Sequence, residues 1–196
     1  MRNTIGRPKS FDNDTVIDLA MQYFWEHGYD NSSLEDLLSA MSIKKSSFYA
    51  NFKSKENLFS LALDLYRKNL FHIIRDTAKK YGVKKALFSL VDESLEDFKN
   101  TGTIKGCLLV NSANECYRKY TDLSSQINLE FKTFIEFLTQ IIQKAKDKNE
   151  IKNHLDSKLI ASRFLAYLTG LTLIMKAGAD EKSISSVSDS INELLD

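Results

Sequence analysis

The chain has 196 residues, of which 43% are hydrophobic and 27% charged, with a net charge of +1. That is enough for one large or two small domains with a substantial core. The near-neutral balance excludes a global electrostatic case for a nucleic-acid partner, and no apolar run approaches the length of a membrane span, so no membrane partner is expected.

The N-terminal MRNTIGRPKSFDND lacks the apolar stretch of a secretion signal, so a cytoplasmic location is expected. One proline, Pro8, and seven glycines punctuate the chain. So few breaks favour long helices and an all-α fold. Gly6-Arg7-Pro8-Lys9 is narrow and cationic; it is either an ordinary terminal tail or an arm that tracks an A·T-rich minor groove.

A first helix is predicted from about Asp14 to His27, where Val16, Leu19, Ala20, Tyr23 and Phe24 recur at helical spacing. Asp12 or Asn13 caps it and Gly28 stops it. Ser33 introduces a second helix with Asp36 as the capping-box acid and Leu34, Leu37, Leu38 and Met41 on the buried face. A tight break at Met41-Ser42 leads to a short third helix. It exposes Lys44, Lys45, Ser46 and Ser47, buries Phe48, and ends in Tyr49, Asn51, Phe52 and Lys53. Lys55-Glu56-Asn57 opens a fourth helix reaching about Tyr81, where Gly82 breaks the chain.

No Ser/Gly-rich or Pro-rich tether follows. We therefore expect an N-terminal unit, residues 1–54, joined by the rod-like fourth helix to a C-terminal unit, residues 55–196. Further helices are predicted over about Lys84–Lys99, Lys105–Tyr117, Leu123–Asp147, Ser157–Lys176 and Ser183–Leu195. The Ser157–Lys176 segment is apolar on nearly all sides and needs cover all round. A second subunit supplies that cover in this reading. The chain is then a homodimer through its last two helices, with Ile184, Val187, Ile191, Leu194 and Leu195 joining the same surface.

Residues 1–55 hold seven basic and seven acidic side chains. The acids lie on the first two helices. The bases cluster on the arm and around the third helix, either as a solvated face or where phosphates would lie. A small helix with amines, hydroxyls and a phenol on its open face suits a DNA major groove. Lys45, Ser46, Ser47 and Tyr49 are the candidate groove contacts, and Lys44, Lys53, Lys55 and Arg7 candidate partners of the DNA backbone. Ser33 either caps its helix or meets a phosphate.

The anchors Ala20, Phe24, Gly28-Tyr29, Ser32-Ser33, Leu37-Leu38, Ile43, Ser47, Phe48-Tyr49, Phe52 and Lys55-Glu56-Asn57-Leu58 resemble the TetR/AcrR (tetracycline-repressor) family of bacterial transcriptional regulators. The block SSFYANFKSKENLF is the most specific part. The resemblance implies a three-helix DNA-binding unit followed by a helical ligand-binding and dimerisation domain. It also implies a phosphate-contacting role for Tyr49. Gly102 to Val110, followed by Ala113 and Glu115, looks like a subgroup with a Gly-Cys turn before the sixth helix. Two positions depart from the family: Ser42 stands where glycine is usual in the turn, and Lys44-Lys45-Ser46 where Ser-Lys-Gly is common.

Cys107 follows a glycine at the expected start of a helix, where thiolate is favoured, with Lys105 nearby. It is either a small packing cysteine or a sensor of oxidants or electrophiles. A Cys107–Cys116 bridge along one helix is rejected, since nine residues separate them by roughly 13 Å on opposite faces. The candidate effector pocket draws on Phe88, Phe98, Cys107, Val110, Phe134, Phe137, Phe164, Tyr167, Leu171 and Lys176. No metal-ligand spacing, catalytic constellation or cofactor motif stands out.

The leading expectation is a homodimeric repressor that binds a near-palindromic double-stranded DNA operator and responds to a small apolar or electrophilic effector. The alternatives are a helical ligand-binding dimer with no DNA role and an enzyme using Cys107 as nucleophile.

Overall fold

The computed structural model describes residues 13–152 and 154–196, which form helices joined by short turns with no strand among them. Helices α1 (Asn13–His27), α2 (Leu34–Ala40) and α3 (Lys45–Phe52) make a compact head. Helix α4 (Lys55–Tyr81) runs from the head into a bundle of α5 (Val83–Thr101), α6 (Leu108–Cys116), α7 (Thr121–Asp147), α8 (Ser157–Lys176) and α9 (Glu181–Leu195). Arg7, its arm and the candidate cap Asp12 lie outside the described residues.

Local signals account for the helix starts. The Ser33 side chain accepts from the Asp36 amide while the Asp36 carboxylate accepts from the Ser33 amide, closing the capping box. Ser54 accepts from the Asn57 amide at the head of α4, and Asp156 and Asp180 cap α8 and α9. The turn between α2 and α3 puts Ser42 at φ 55°, a left-handed conformation that costs a non-glycine residue about 1 kcal/mol. Helix α6 begins at Leu108, not at Lys105 as expected. Gly106 sits at φ 71° and the chain around it runs as a non-helical strap.

Two apolar cores share α4. Leu58, Phe59, Ala62 and Leu63 pack with Phe24, Tyr29, Leu37, Phe48 and Phe52 of the head. Phe71 and Ile74 pack into the bundle with Leu87, Leu138, Ile142, Phe164 and Leu171. The head core also takes in Leu108, Leu109 and Cys116 of α6 and Leu123 and Ile127 of α7. Head and bundle are therefore interleaved.

A polar joint reinforces that contact. The Glu115 carboxylate accepts from the amides of Tyr29 (2.8 Å) and Asp30 (2.6 Å) just after α1. Asp30 in turn accepts from the Tyr120 hydroxyl at 2.6 Å and pairs with Lys119 at 2.5 Å. Gly28, at φ 80°, makes the approach possible, since a Cβ there would stand 2.9 Å from a Glu115 oxygen. We expect Gly28→Ala to lower stability by about 2–4 kcal/mol, combining left-handed strain with disturbed charged hydrogen bonds. Urea unfolding checks this; an unchanged midpoint contradicts the role given to Gly28.

Two expectations about the last helices are corrected. Helix α8, at 20 residues, is long and apolar enough by length and composition alone to cross a membrane, although no span was read in the sequence. Here one face of it, with Ile160, Ala161, Phe164, Leu165, Leu171 and Met175, packs into the bundle against α7 and α9, and its opposite face is exposed. On α9, Ile184, Ile191, Leu194 and Leu195 are buried within the chain's own bundle, and Val187 packs against them. Their periodicity marks a buried face, and the element that buries it is mainly α8.

Candidate functional site

Helix α3 is held from below and open above. Phe48 and Phe52 are each 1% exposed and lock the helix into the head core. Lys44, Lys45 and Ser46 are exposed, Ser47 is half-buried, and Tyr49 is 49% exposed with its ring edge-on to Phe48. Lys44 is the N-cap residue but makes no side-chain cap bond, so the first amides of α3 remain available to an anion. Lys53 closes the helix at φ 65° and projects into solvent.

Two other candidates are already engaged. Lys55 was expected to neutralise DNA phosphate. Its ammonium instead donates to the carbonyls of Tyr29 (2.8 Å) and Ser32 (3.0 Å) and lies 4.1 Å from the Tyr29 ring centroid. Two of its three donors brace the loop between α1 and α2, which leaves at most one for an outside partner. The Ser33 hydroxyl is occupied by Asp36.

Between head and bundle lies a cavity of about 380 Å³. Helix α1 contributes Met21, Gln22 and Trp25. Tyr66, Asn69, Leu70 and Ile73 come from α4, and Leu90, Glu93, Ser94 and Asp97 from α5. The strap Ile104–Cys107 closes one side, and Val110, Phe134, Leu165, Leu168, Thr169 and Thr172 complete the wall. The lining is apolar in area, with a few polar groups, as in sites that take small organic molecules.

Of the expected pocket residues, Cys107, Val110 and Phe134 line this cavity. The others do not. Phe164 and Leu171 are fully buried in the bundle core, and Phe88 and Phe98 pack against it. Phe137 stacks on Phe71 with centroids 3.9 Å apart, beneath a separate groove. Tyr167 faces outward from α8. Lys176 donates to the Asn111 side chain at 2.7 Å and covers Gly106 from outside. Inward aromatic residues at helical spacing fill the core as readily as they line a void. The lining residues Trp25, Tyr66, Glu93 and Asp97 were not anticipated; only the status of Trp25 as the one tryptophan singled any of them out.

Charge in the cavity is uneven. Burial raises the Glu93 carboxyl above its usual range, and Asp97 and Asp92 add to the effect. Burial also pushes the Tyr66 phenol well above its ordinary value; the adjacent Cys107 thiol, within hydrogen-bond reach, adds to this and the Leu108 amide opposes it. Burial lowers the Lys176 ammonium, while Cys107 acts the other way.

Both cysteines are free. Cys116 is fully buried and burial pushes its thiol up to about 11. Native protein at pH 8 is therefore expected to take one thiol-reactive label per chain, at Cys107, with Cys116 reacting only after unfolding. Peptide mass mapping checks this, and two labels on native protein contradict it.

A braced helix-turn-helix with an exposed basic reading helix, set on a hollow helical bundle, defines a DNA-binding transcriptional regulator. The model of the family "Bacterial regulatory proteins, tetR family" matches residues 16–62. That of "Tetracyclin repressor-like, C-terminal domain" matches residues 83–191, more than half the chain. The chain belongs to the tetR family.

It is 28% identical over 189 residues to the HTH-type transcriptional repressor ComR of Escherichia coli, covering 95% of this chain and 90% of ComR. It is 27% identical over 188 residues to IcaR of Staphylococcus aureus, negative regulator of the biofilm operon icaADBC, covering 93% and 96%. Among solved structures, a cysteine mutant of the TetR family regulator CifR, complexed with 26-base-pair operator DNA, aligns with a TM-score of 0.74 at 26% identity, covering 96% and 98%. The reduced form of Escherichia coli NemR aligns at 0.76 and 19% identity, covering 93% and 96%.

Proposed function

We propose that this regulator is a repressor that binds a near-palindromic operator as a homodimer and leaves it when the cavity is filled. The observation that carries the reading is α3: its two phenylalanines are sunk in the head while Lys44, Lys45, Ser46 and Tyr49 stand clear of it. Lys45, Ser46, Ser47 and Tyr49 enter the major groove, where the Lys45 ammonium also meets a phosphate, and Lys44 and Lys53 meet flanking phosphates. Ser33 and Lys55 act mainly by bracing the head, and Arg7 of the N-terminal arm adds a backbone contact.

The two subunits join through the outer face of α8 with α9 beside it. Tyr167 and Leu173 are 36% and 57% exposed there, and a Cβ on Gly170 would meet nothing within 4 Å, which leaves room for a partner helix. In a two-fold dimer the paired heads read half-sites one helical turn apart. The repressor names of ComR and IcaR and the operator complex of CifR support the repressor and operator parts of this reading.

The effector is a small, largely apolar molecule. A second mode, covalent modification of Cys107, is favoured by one observation: this thiol lines the cavity beside Tyr66. We place the chain in the subgroup with a Gly-Cys turn, Gly106-Cys107. An effector of either kind acts only through its differential affinity for the DNA-binding and released states.

Selection of genomic fragments bound by the purified protein, followed by titration in 50 mM and 200 mM salt, tests the reading. The expected result is one recurrent inverted repeat, two chains per site, and a steep loss of affinity with salt. Binding to no fragment even at the lower salt overturns it.

A further inference from the structure

Trp25 is the only tryptophan of the chain and lies in the last turn of α1, so it belongs to the reading head. Its ring also lines the effector cavity. The indole N–H donates to the Gly106 carbonyl at 2.9 Å. The same ring meets Tyr66 edge-on, with centroids 5.1 Å apart, and carries the Lys105 ammonium 5.7 Å from its centroid. The strap that closes the cavity is thus hydrogen-bonded to the head itself.

The far side of the strap is held as firmly. A Cβ on Gly106 would lie 2.9 Å from Cε of Lys176, the last residue of α8. Lys176 donates to the Asn111 side-chain oxygen at 2.7 Å, and the Asn111 side-chain NH2 donates to the Lys105 backbone carbonyl at 2.9 Å. Head, cavity wall and dimer helix therefore converge on Gly106. The other polar ties between head and bundle, at Glu115 and Asp30, sit at the opposite end of α6 and take no part in the cavity wall.

We propose that Trp25 couples cavity occupancy to the position of the reading head through its indole bond to Gly106. The inference rests on the regulatory reading above. An occupant that shifts the strap either breaks this bond or carries the C-terminal end of α1 with it. The joint at Glu115 serves as the pivot, so the whole head turns, including α3. Trp25 is a positioning residue here: it touches no DNA, and its effect is a coupling between two sites.

The probe is N-phenylmaleimide, which occupies the cavity when bonded to Cys107. The thiolate sulfur adds to one alkene carbon, the π pair moves to the carbonyl as an enolate, and a proton from water restores the succinimide. Operator affinity is measured for wild type and Trp25→Phe, each with and without the adduct, with Cys107→Ser exposed to the reagent as control.

In wild type the adduct is expected to weaken operator binding at least ten-fold. Unmodified Trp25→Phe is expected to stay within three-fold of wild type, and its adduct to weaken binding by less than three-fold. An equal loss in both proteins, no loss in wild type, or a ten-fold loss in the unmodified variant each overturns the proposal. Emission from Trp25 in the wild-type protein gives a second readout should the variant not fold. The adduct is expected to shift that emission and operator to shift it back, and an unmoved spectrum overturns the proposal. Failure of unmodified wild type to bind any DNA sinks the regulatory reading itself, and this inference with it.

Discussion

Replacing both Lys45 and Tyr49 by alanine is expected to weaken operator binding by about 1,000-fold with little change in stability. Each contact is worth roughly 1–3 kcal/mol. A dimer loses two lysines and two tyrosines, so even the lower figure sums to about 4 kcal/mol, and each 1.4 kcal/mol is about ten-fold. Both side chains are exposed on α3, whereas Phe48 and Phe52 hold the helix from beneath, so the head stays folded. The lysine also sets the salt dependence. Losing one phosphate contact per subunit lowers the slope of log affinity against log salt by about two per dimer. Fluorescence anisotropy across a salt series reads both numbers. Affinity within three-fold of wild type would remove α3 from the interface.

The second large effect is expected at the α8 seam, where Leu173→Glu splits the dimer. Leu159, Arg163, Ala166, Gly170, Leu173 and Ala177 form one outward stripe at helical spacing, and Leu173, at 57%, is more exposed than Leu159, the other large apolar side chain in it. Across a two-fold axis every substitution occurs twice, so the variant sets two carboxylates in one apolar seam. Burying an unpaired charge costs several kcal/mol, which corresponds to a loss of at least 100-fold in dimer affinity. Sedimentation at micromolar concentration is expected to find monomers that retain full helix content, with operator affinity falling because each head then holds one half-site alone. A dimer of unchanged strength would place the seam elsewhere.

The sequence was most informative where structure is decided by neighbours in the chain. Helices α4 and α8 begin and end where expected because Ser54, Asp156 and Gly82 act within a turn of their own positions. The pair Ser33 and Asp36 behaves in the same way, and so do Phe48 and Phe52, whose spacing assigns them to the inner side of a short helix. The cavity was poorly legible for the opposite reason. Its wall is assembled from α1, α4, α5, α6, α7, α8 and the strap, and whether Phe134 lines a void while Phe164 fills the core depends on how those helices cross. Lys55 illustrates a further gap: a lysine at a helix start suggests an anion, but the carbonyls of Tyr29 and Ser32, more than 20 positions upstream, claim it first. The apolar stripe of α9 announced burial without naming what buries it.

The interleaved cores limit how such a protein can be recombined. Because Leu108, Leu109, Leu123 and Ile127 complete the core beneath the reading helices, a fragment ending near Gly82 carries an unfinished interior. A chimera that transplants this operator specificity onto a foreign sensor must bring α6 and the first turns of α7 along, or rebuild their contacts. Substitutions on the outward face of α3 avoid that burden, because Lys45, Ser46 and Tyr49 lie outside that core.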